Sequence, residues 1–497
     1  MQIPEILKTI SKKLHTRHAK AIVVGGSVRD YFLKLSPKDF DIEVYGLSSL
    51  SELEKILSEF GSVNLVGKSF GVLKCVHEGE EYDFSFPRTE SKISGGHKGF
   101  EVQVDGTLDF KTASMRRDFT INAMGYDIEE RSFLDPFNAK EDMAHNILRH
   151  IDDTSFAEDP LRVYRAVQFC ARFHLTLAEK TKLLCRKMTE EGMLEELPKE
   201  RVYEEFKKLL LKADQPSIGF SLMRVLGVVR YFPELEALIT VPQDPKYHPE
   251  GDVWVHTLMA LDAMQDELKI KNAPERSDKC PWGKKLKIEE KQKLKLLFAV
   301  LCHDFGKPFT TTIELKNGES MEWNSSARLP LNAEHFARIR AISHEKAGVE
   351  PTRRFMYRLT EEHDFIESIL PLVAHHLKPS QFYEQGAKAA AIRRLATKVN
   401  IEELVAVAKA DFLGRTTAEA QTGIYEAGEW LLEKAKDLEV QKRPLENLLQ
   451  GRDLIALGMK PSPVFSTVLN DVYEKQMDGV LRTKEEAIAY VHRKFLL

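Results

Sequence analysis

At 497 residues the chain is too long for one ordinary hydrophobic core, so several domains are expected. Hydrophobic residues at 43% and charged residues at 30% exclude a disordered chain, and no apolar run approaches the roughly 18 residues of a membrane-spanning helix. A net charge of −4 excludes a polycation and leaves nucleic-acid binding to a local basic patch.

In chain order, Ile3, Ile6, Leu7, Ile10 and Leu14 recur at helical spacing around Pro4, which predicts an N-terminal packing helix rather than a signal or transit segment. Residues 21 to about 130 alternate β-rich runs ("AIVVGG", "FDIEVYG", "GVLKCVHEGEEYDFSF", "FEVQV") with helical patterns, as in an α/β or α+β module. From about 140 the pattern turns helical, and the turn-rich "TVPQDPKYHPEGD" at 240–252 is the best interior boundary. Lys269 to Lys295 carries ten Lys/Arg against four acids and reads as a solvated insertion, whereas "LLFAVLC" reads as core. Five scattered cysteines without a C-x-x-C pair fit a reducing cytoplasm and offer no zinc framework.

Gly25-Gly26 ends a strand where the "SVRDYFLKL" helix begins. Glycine lets the backbone approach a phosphate closely, and a helix N-terminus points N–H groups at an anion. In the next strand Asp39 and Asp41 share one face while Phe40 and Ile42 pack inward. Adjacent carboxylates repel unless a hard cation such as Mg²⁺ lies between them, and paired ions clamp the attacking and leaving oxygens of a phosphoryl transfer. Arg116 and Arg117 in "SMRRDFTINAMGYD" suit a triphosphate. In "AEDPLRVYRAVQFCARF", Pro160 fits a first helical turn, and the spacing makes Glu158, Asp159 and Arg162 neighbours on one face. Downstream, His256, His303-Asp304, His344, His375-His376 and Asp411 form an H…HD…D order. Mixed imidazole and carboxylate ligands suit Mn, Ni or Fe, on which water attacks phosphorus.

G-G-x-V-R-D followed by D-F-D resembles the polymerase-β-like nucleotidyltransferase superfamily. More narrowly it is similar to the class II tRNA nucleotidyltransferases (CCA-adding enzymes) and bacterial poly(A) polymerases. The resemblance implies that Asp39 and Asp41 are catalytic and hold Mg²⁺, and that Gly25, Gly26 and Arg29 hold the triphosphate. It offers Asp83 in "EYDFSF" as a third carboxylate, with Glu43 the weaker candidate. It also implies nucleotide contacts from Arg116, Arg117, Asp118, Asn122 and Arg165, a flexible loop bearing Arg88, Glu90 and Lys92, and base reading by Asp159 and Arg162. Cytosine and adenine each present a ring acceptor beside an amine donor, which an Arg N–H next to an Asp oxygen complements. Uracil and guanine present the reverse order, and a hydrogen-bonding site rejects such a mismatch by ~10⁴ or more in good cases. Gln168 stands where this family usually has Arg.

"HPEGDVWVHTLM", "CHDFGK" and "KADFLGR" resemble the HD phosphohydrolase domain fused to CCA-adding enzymes in some bacteria. That resemblance implies His256, His303, Asp304 and Asp411 as ligands, with His344 and His376 as phosphate or second-metal contacts, and hydrolysis of 2′,3′-cyclic phosphates and 2′-phosphates. The expected fold class is α+β: a polymerase-β-like nucleotidyltransferase head (1–137), an all-α neck (138–240), an HD domain (241–425) and a helical tail (426–497). The expected function is template-free addition or repair of the tRNA 3′-CCA from CTP and ATP in the cytoplasm, with no membrane or DNA partner. An A-adding enzyme or poly(A) polymerase is the alternative within the fold. A phosphohydrolase whose head only binds RNA is the alternative from another class. The sequence leaves the oligomeric state open, along with the roles of the apparent insertions at 265–295 and 309–340.

Overall fold

The computed structural model describes residues 1–36, 39–66, 71–92, 100–272, 289–323 and 336–496. They form two compact units: Met1–Ala213 with Ile218–Tyr231, and Asp214–Ser217 with Phe232–Leu497.

In the first unit the β-rich runs become β1 (Lys20–Val24), β2 (Asp41–Tyr45), β3 (Ser62–Val66), β4 (Val72–His77), β5 (Glu80–Ser85), β6 (Arg88–Lys92), β7 (Phe100–Val104), β8 (Gly125–Asp127) and β9 (Ser132–Leu134). Seven of them form one sheet, ordered β3-β4-β5-β2-β1-β8-β9, while β6 and β7 pair as a separate hairpin. The long run "GVLKCVHEGEEYDFSF" breaks in two because Glu78 and Gly79 both take positive φ (51° and 88°), the backbone of a tight two-residue hairpin turn. β2 lies between β1, antiparallel, and β5, parallel. Ile42, Glu43 and Val44 are buried without alternation, because the middle of the sheet is covered on both faces. Asp39 departs from expectation: β2 begins at Asp41, so Asp39 sits just ahead of the strand, and both remain exposed. The Glu5–His15 helix packs on β1 and buries Leu7, Ile10 and Leu14, while the Leu161–Phe173 and Lys199–Lys212 helices pack on each other through Tyr164 and Phe206.

The second unit is built on the Val253–Asn272, Glu290–Cys302 and Ile401–Leu413 helices. "LLFAVLC" closes the second of these, and Leu296 through Cys302 are all buried, so an all-round apolar pattern marks a core helix. The 309–340 insertion supplies a small antiparallel sheet. After a short parallel pair in the first unit, β10 (Ile147–Leu148) with β11 (Thr176–Leu177), its strands are β12 (Thr311–Leu315), β13 (Ser320–Glu322) and β14 (Phe336–Ala341). The tail has its own apolar cluster, including Leu454, Val468, Val472 and Val491.

One close approach shapes the chemistry of this unit. A Cβ on Gly306 would lie 2.0 Å from the His344 carbonyl oxygen, so the "HDFG" turn and the His344 segment meet backbone to backbone. Gly306→Ala is expected to cost about 1–3 kcal/mol of stability through forced displacement, read as a lowered thermal midpoint.

Candidate functional site

Every residue predicted to hold nucleotide lines one pocket of about 480 Å³ in the first unit, together with Arg88 and Arg201. Gly25 closes β1 with φ of 74°, a left-handed conformation that favours glycine, and its missing Cβ would stand 3.5 Å from Asp41 Oδ2 and 3.6 Å from Arg117 Nη1. Across the parallel β2–β5 pair, Asp41 is register partner to Asp83. Although Asp41 meets solvent, lost hydration at its carboxyl pushes it above the ordinary range, with Asp83, Asp39 and Glu43 adding and Arg117 opposing. Asp83 Oδ1 is buried without a hydrogen-bond partner. An orphaned carboxylate oxygen beside a carboxylate whose charge is disfavoured fits an oxygen-seeking divalent cation.

Glu43, the weaker candidate for third carboxylate, has a different position. It is 1% exposed, and its Oε1 accepts Arg116 Nη2 at 3.0 Å and Arg117 Nη2 at 2.9 Å, while Tyr45 donates its hydroxyl to Oε2 at 2.8 Å. Glu43 is thus the counter-ion of the paired arginines. The rest of the predicted set is cross-linked: Arg29 donates to Asn122 (2.9 Å), Asn122 to Asp118 (2.9 Å), and Arg165 to Asp118 (2.7 Å). Burial pushes the Asp118 carboxyl up, but Arg165 and Asn122 outweigh it and hold the group below its usual value. Arg29, Arg165 and Arg172 also stand over the Phe169 ring at 5.2–5.8 Å, and Gln168 accepts a hydrogen bond from Arg172.

Asp159 and Arg162 line the same pocket, and the Arg162 backbone N–H donates to the Asp159 carbonyl at 3.0 Å although the helix is assigned only from Leu161. The Asp159 carboxylate receives Arg201 through two nitrogens (3.0 and 3.3 Å), and Arg162 donates to the backbone carbonyls of Ser155 (2.7 Å) and Arg116 (2.6 Å). Arg201 was missed because "LPKERVYEEF" reads as an ordinary amphipathic helix. The side chains of Glu90 and Lys92, on β6, lie outside the described residues, as do 93–99.

In the second unit, His256, His303, Asp304, His344, His376 and Asp411 come together. His256 Nε2 lies 3.0 Å from Asp411 Oδ1, His303 Nε2 3.2 Å from Asp304, and His344 Nε2 3.3 Å from both Asp304 Oδ1 and His376 Nε2. Burial pushes Asp304 and Asp411 up. His303 and Lys307 at Asp304, and Arg415 and His256 at Asp411, outweigh it and hold both well below the carboxylate range. His376 is pushed down to about 3 by burial and the neighbouring imidazoles, which keeps its lone pair available. Lys307 Nζ stands 2.7 Å from Asp304 Oδ2, yet neither Asp304 oxygen nor His303 Nε2 has a well-directed hydrogen bond. Orphaned, buried oxygen and nitrogen donors facing one another fit a divalent transition metal.

A cavity of about 230 Å³ opens onto this cluster, lined by Lys307, Arg415, His248, Tyr247 and, from the insertion, Thr311 and Arg340. None of these was singled out from sequence. The segment that reads as a linker, 240–252, belongs to this site through His248 and Glu250. The HxE spacing ahead of His256 was the available signal. Residues 273–288 and 324–335 of the two apparent insertions lie outside the described set.

A nucleotide-binding head and a mixed histidine–carboxylate centre therefore occur in one chain. Family models agree: "Poly A polymerase head domain" matches residues 21–149, "Probable RNA and SrmB- binding site of polymerase A" matches 174–239, and "HD domain" matches 261–415. The chain is 33% identical to the multifunctional CCA protein of Laribacter hongkongensis, covering 80% of this chain and 85% of that one, and 36% identical to that of Neisseria meningitidis over 68% and 67%. In fold it is similar to a Bacillus stearothermophilus CCA-adding enzyme in complex with CTP (18% identity, TM-score 0.63, 99% and 98% covered). It is also similar to a Thermotoga maritima CCA-adding enzyme complexed with tRNA (20%, 0.56, 99% and 96%). The chain belongs to the multifunctional CCA protein family. Among the described residues no helix is long and apolar enough to cross a membrane.

Because the folded state disfavours the charged form of Asp41, that charge weakens the fold above both its folded and unfolded pKa, an effect that disappears below the ordinary value of 3.8. Asp41→Asn is therefore expected to raise the thermal midpoint of the metal-free protein at neutral pH, with the gain vanishing on acidification, as followed by calorimetry over a pH series.

Proposed function

We propose that this chain is a tRNA nucleotidyltransferase that adds or repairs the 3′-terminal CCA from CTP and ATP without a nucleic-acid template, and that its HD centre hydrolyses phosphoesters such as 2′,3′-cyclic phosphates and 2′-phosphates. The observation that carries the first activity is the single pocket joining the Gly25-Gly26 turn and Arg116-Arg117 to Asp159 and Arg162. Asp39 and Asp41, with Asp83 beside them, would hold Mg²⁺, which when bound neutralises charge on the triphosphate and the attacking oxygen. Gly25 admits the triphosphate close to the backbone, and Arg116 and Arg117, steadied by Glu43, meet its charge. Asp159 and Arg162 offer an acceptor and donors to the base edge. Arg201 fixes the Asp159 carboxylate, and two carbonyls fix Arg162, so the pair is presented without rotational freedom. The RNA 3′-hydroxyl then attacks the α-phosphorus in line and pyrophosphate departs.

At the HD centre, His256, His303, Asp304 and Asp411 would hold Mn, Ni or Fe, with His344 and His376 adjacent. Bound there, the metal supplies Lewis-acid chemistry for hydrolysis. Lys307 and Arg415 meet the phosphate charge from the cavity wall. A tRNA substrate and four described cysteines that are all free agree with a cytoplasmic location.

A tRNA transcript lacking CCA, offered CTP, ATP or both, is expected to gain C-C-A on a sizing gel. Addition of A alone to a C-C end, or a long A-tract, would replace this reading with an A-adding enzyme or a poly(A) polymerase. Asp41→Ala is expected to abolish addition and spare hydrolysis of 2′,3′-cyclic AMP, and Asp304→Ala the reverse. Arg201→Ala should lower kcat/KM for CTP and ATP at least tenfold and raise UTP incorporation relative to CTP. An unchanged CTP/UTP ratio would remove Arg201 from base selection.

A further inference from the structure

The HD centre contains a buried carboxylate that neither ligates the cluster nor faces the cavity. Glu250 precedes the Val253–Asn272 helix, and its side chain is wholly buried. His256 Nδ1 lies 2.7 Å from Glu250 Oε1, His248 Nδ1 lies 2.9 Å from the same oxygen, and the Thr416 backbone N–H donates to Oε2 at 3.2 Å. The other nitrogen of His256, Nε2, faces Asp411 Oδ1 at 3.0 Å and Asp304 Oδ2 at 3.9 Å. The ring thus stands between Glu250 on one side and Asp411 and Asp304 on the other. A neutral imidazole has one N–H, and the hydrogen bond made by one nitrogen sets which lone pair the other presents.

We propose that Glu250 is the positioning residue of the HD centre: it accepts the Nδ1–H of His256, fixes the tautomer whose Nε2 lone pair points at the metal, and ties that histidine to the segment following Asp411. The proposal rests on the reading of this cluster as a metal site. Thr416 lies five residues past Asp411, beyond the end of its helix, so one carboxylate links the helix that carries His256 to the turn that follows the Asp411 helix. The same three groups, His248, Glu250 and His256, lie close enough to hold an ion of their own. Coordination there and at the main cluster would use both nitrogens of His256 and require its imidazolate. Hydrogen bonding through Nδ1 needs no such deprotonation, and the 2.7 Å separation is that of a charge-assisted donor and acceptor.

The test uses the full-length chain, stripped with chelator and titrated with Ni²⁺, which prefers imidazole-containing sites to the carboxylate-only set of the head. The control is Glu403→Gln, a buried carboxylate on the Asp411 helix whose partners are Lys295 and Gln292, outside the cluster. Glu250→Gln is expected to weaken Ni²⁺ binding about 10–100-fold while shifting the metal-free thermal midpoint no more than Glu403→Gln does. Glu250→Asp, which restores the charge at shorter reach, is expected to recover part of that loss. The cooperative thermal transition of the metal-free protein reports that the unit carrying each substitution is folded. Ni²⁺ affinity of Glu250→Gln within twofold of the parent overturns the proposal, as does loss of a second bound equivalent, which would make Glu250 a ligand. If the parent chain binds no Ni²⁺ that Asp304→Ala removes, the metal reading itself falls.

Discussion

A carboxylate can be carried into the middle of a sheet only with its counter-charge, and Glu43 is where the head meets that constraint. Stripped of water on the central strand, it would cost several kcal/mol uncompensated. Two guanidinium groups and a phenol hydroxyl satisfy it. This pairing draws Arg116 and Arg117 to the end of β1 beside Gly25, and the carbonyl of Arg116 then receives Arg162. A single buried charge thereby connects the strand that bears Asp41 to the helix that carries Arg162.

The two chemical centres treat charge differently from their surroundings. Away from them, buried Glu403 is paired with Lys295 and Gln292. At Asp83 and Asp304 an oxygen is withdrawn from water and left without a hydrogen bond. Such sites cost stability in the metal-free protein, and unpartnered carboxylate oxygens set beside further oxygen or nitrogen donors are what a bound cation would satisfy.

Legibility followed the range of the interaction. Asp41, Arg116-Arg117 and His303-Asp304 could be read because adjacent or alternating residues project their chemistry from one element. The sheet and the core helix were equally plain, since β-branched runs and the all-round apolar "LLFAVLC" express burial directly. Asp39 was placed one step too far into its strand, and Glu43 was weighed as a metal ligand because sequence shows its charge but not its partners. Arg201, His248, Glu250 and Arg340 passed unnoticed: each sits on an unremarkable helix, turn or inserted strand, and gains meaning only from what folds against it. The Asp159–Arg162 spacing placed both residues at one pocket but did not show that Arg201 holds the Asp159 carboxylate.

The sequence by itself determined the family and singled out candidate residues for two chemistries, because residue type and local spacing limit which metals, phosphates and base edges can be bound. Tertiary structure alone decided which carboxylates are paired and which keep an unpartnered oxygen, which arginine holds Asp159, and which glutamate meets His256. Those outcomes depend on burial and on distances between segments far apart in the chain. A buried charge is defined by the partner that reaches it, and local sequence does not specify that partner.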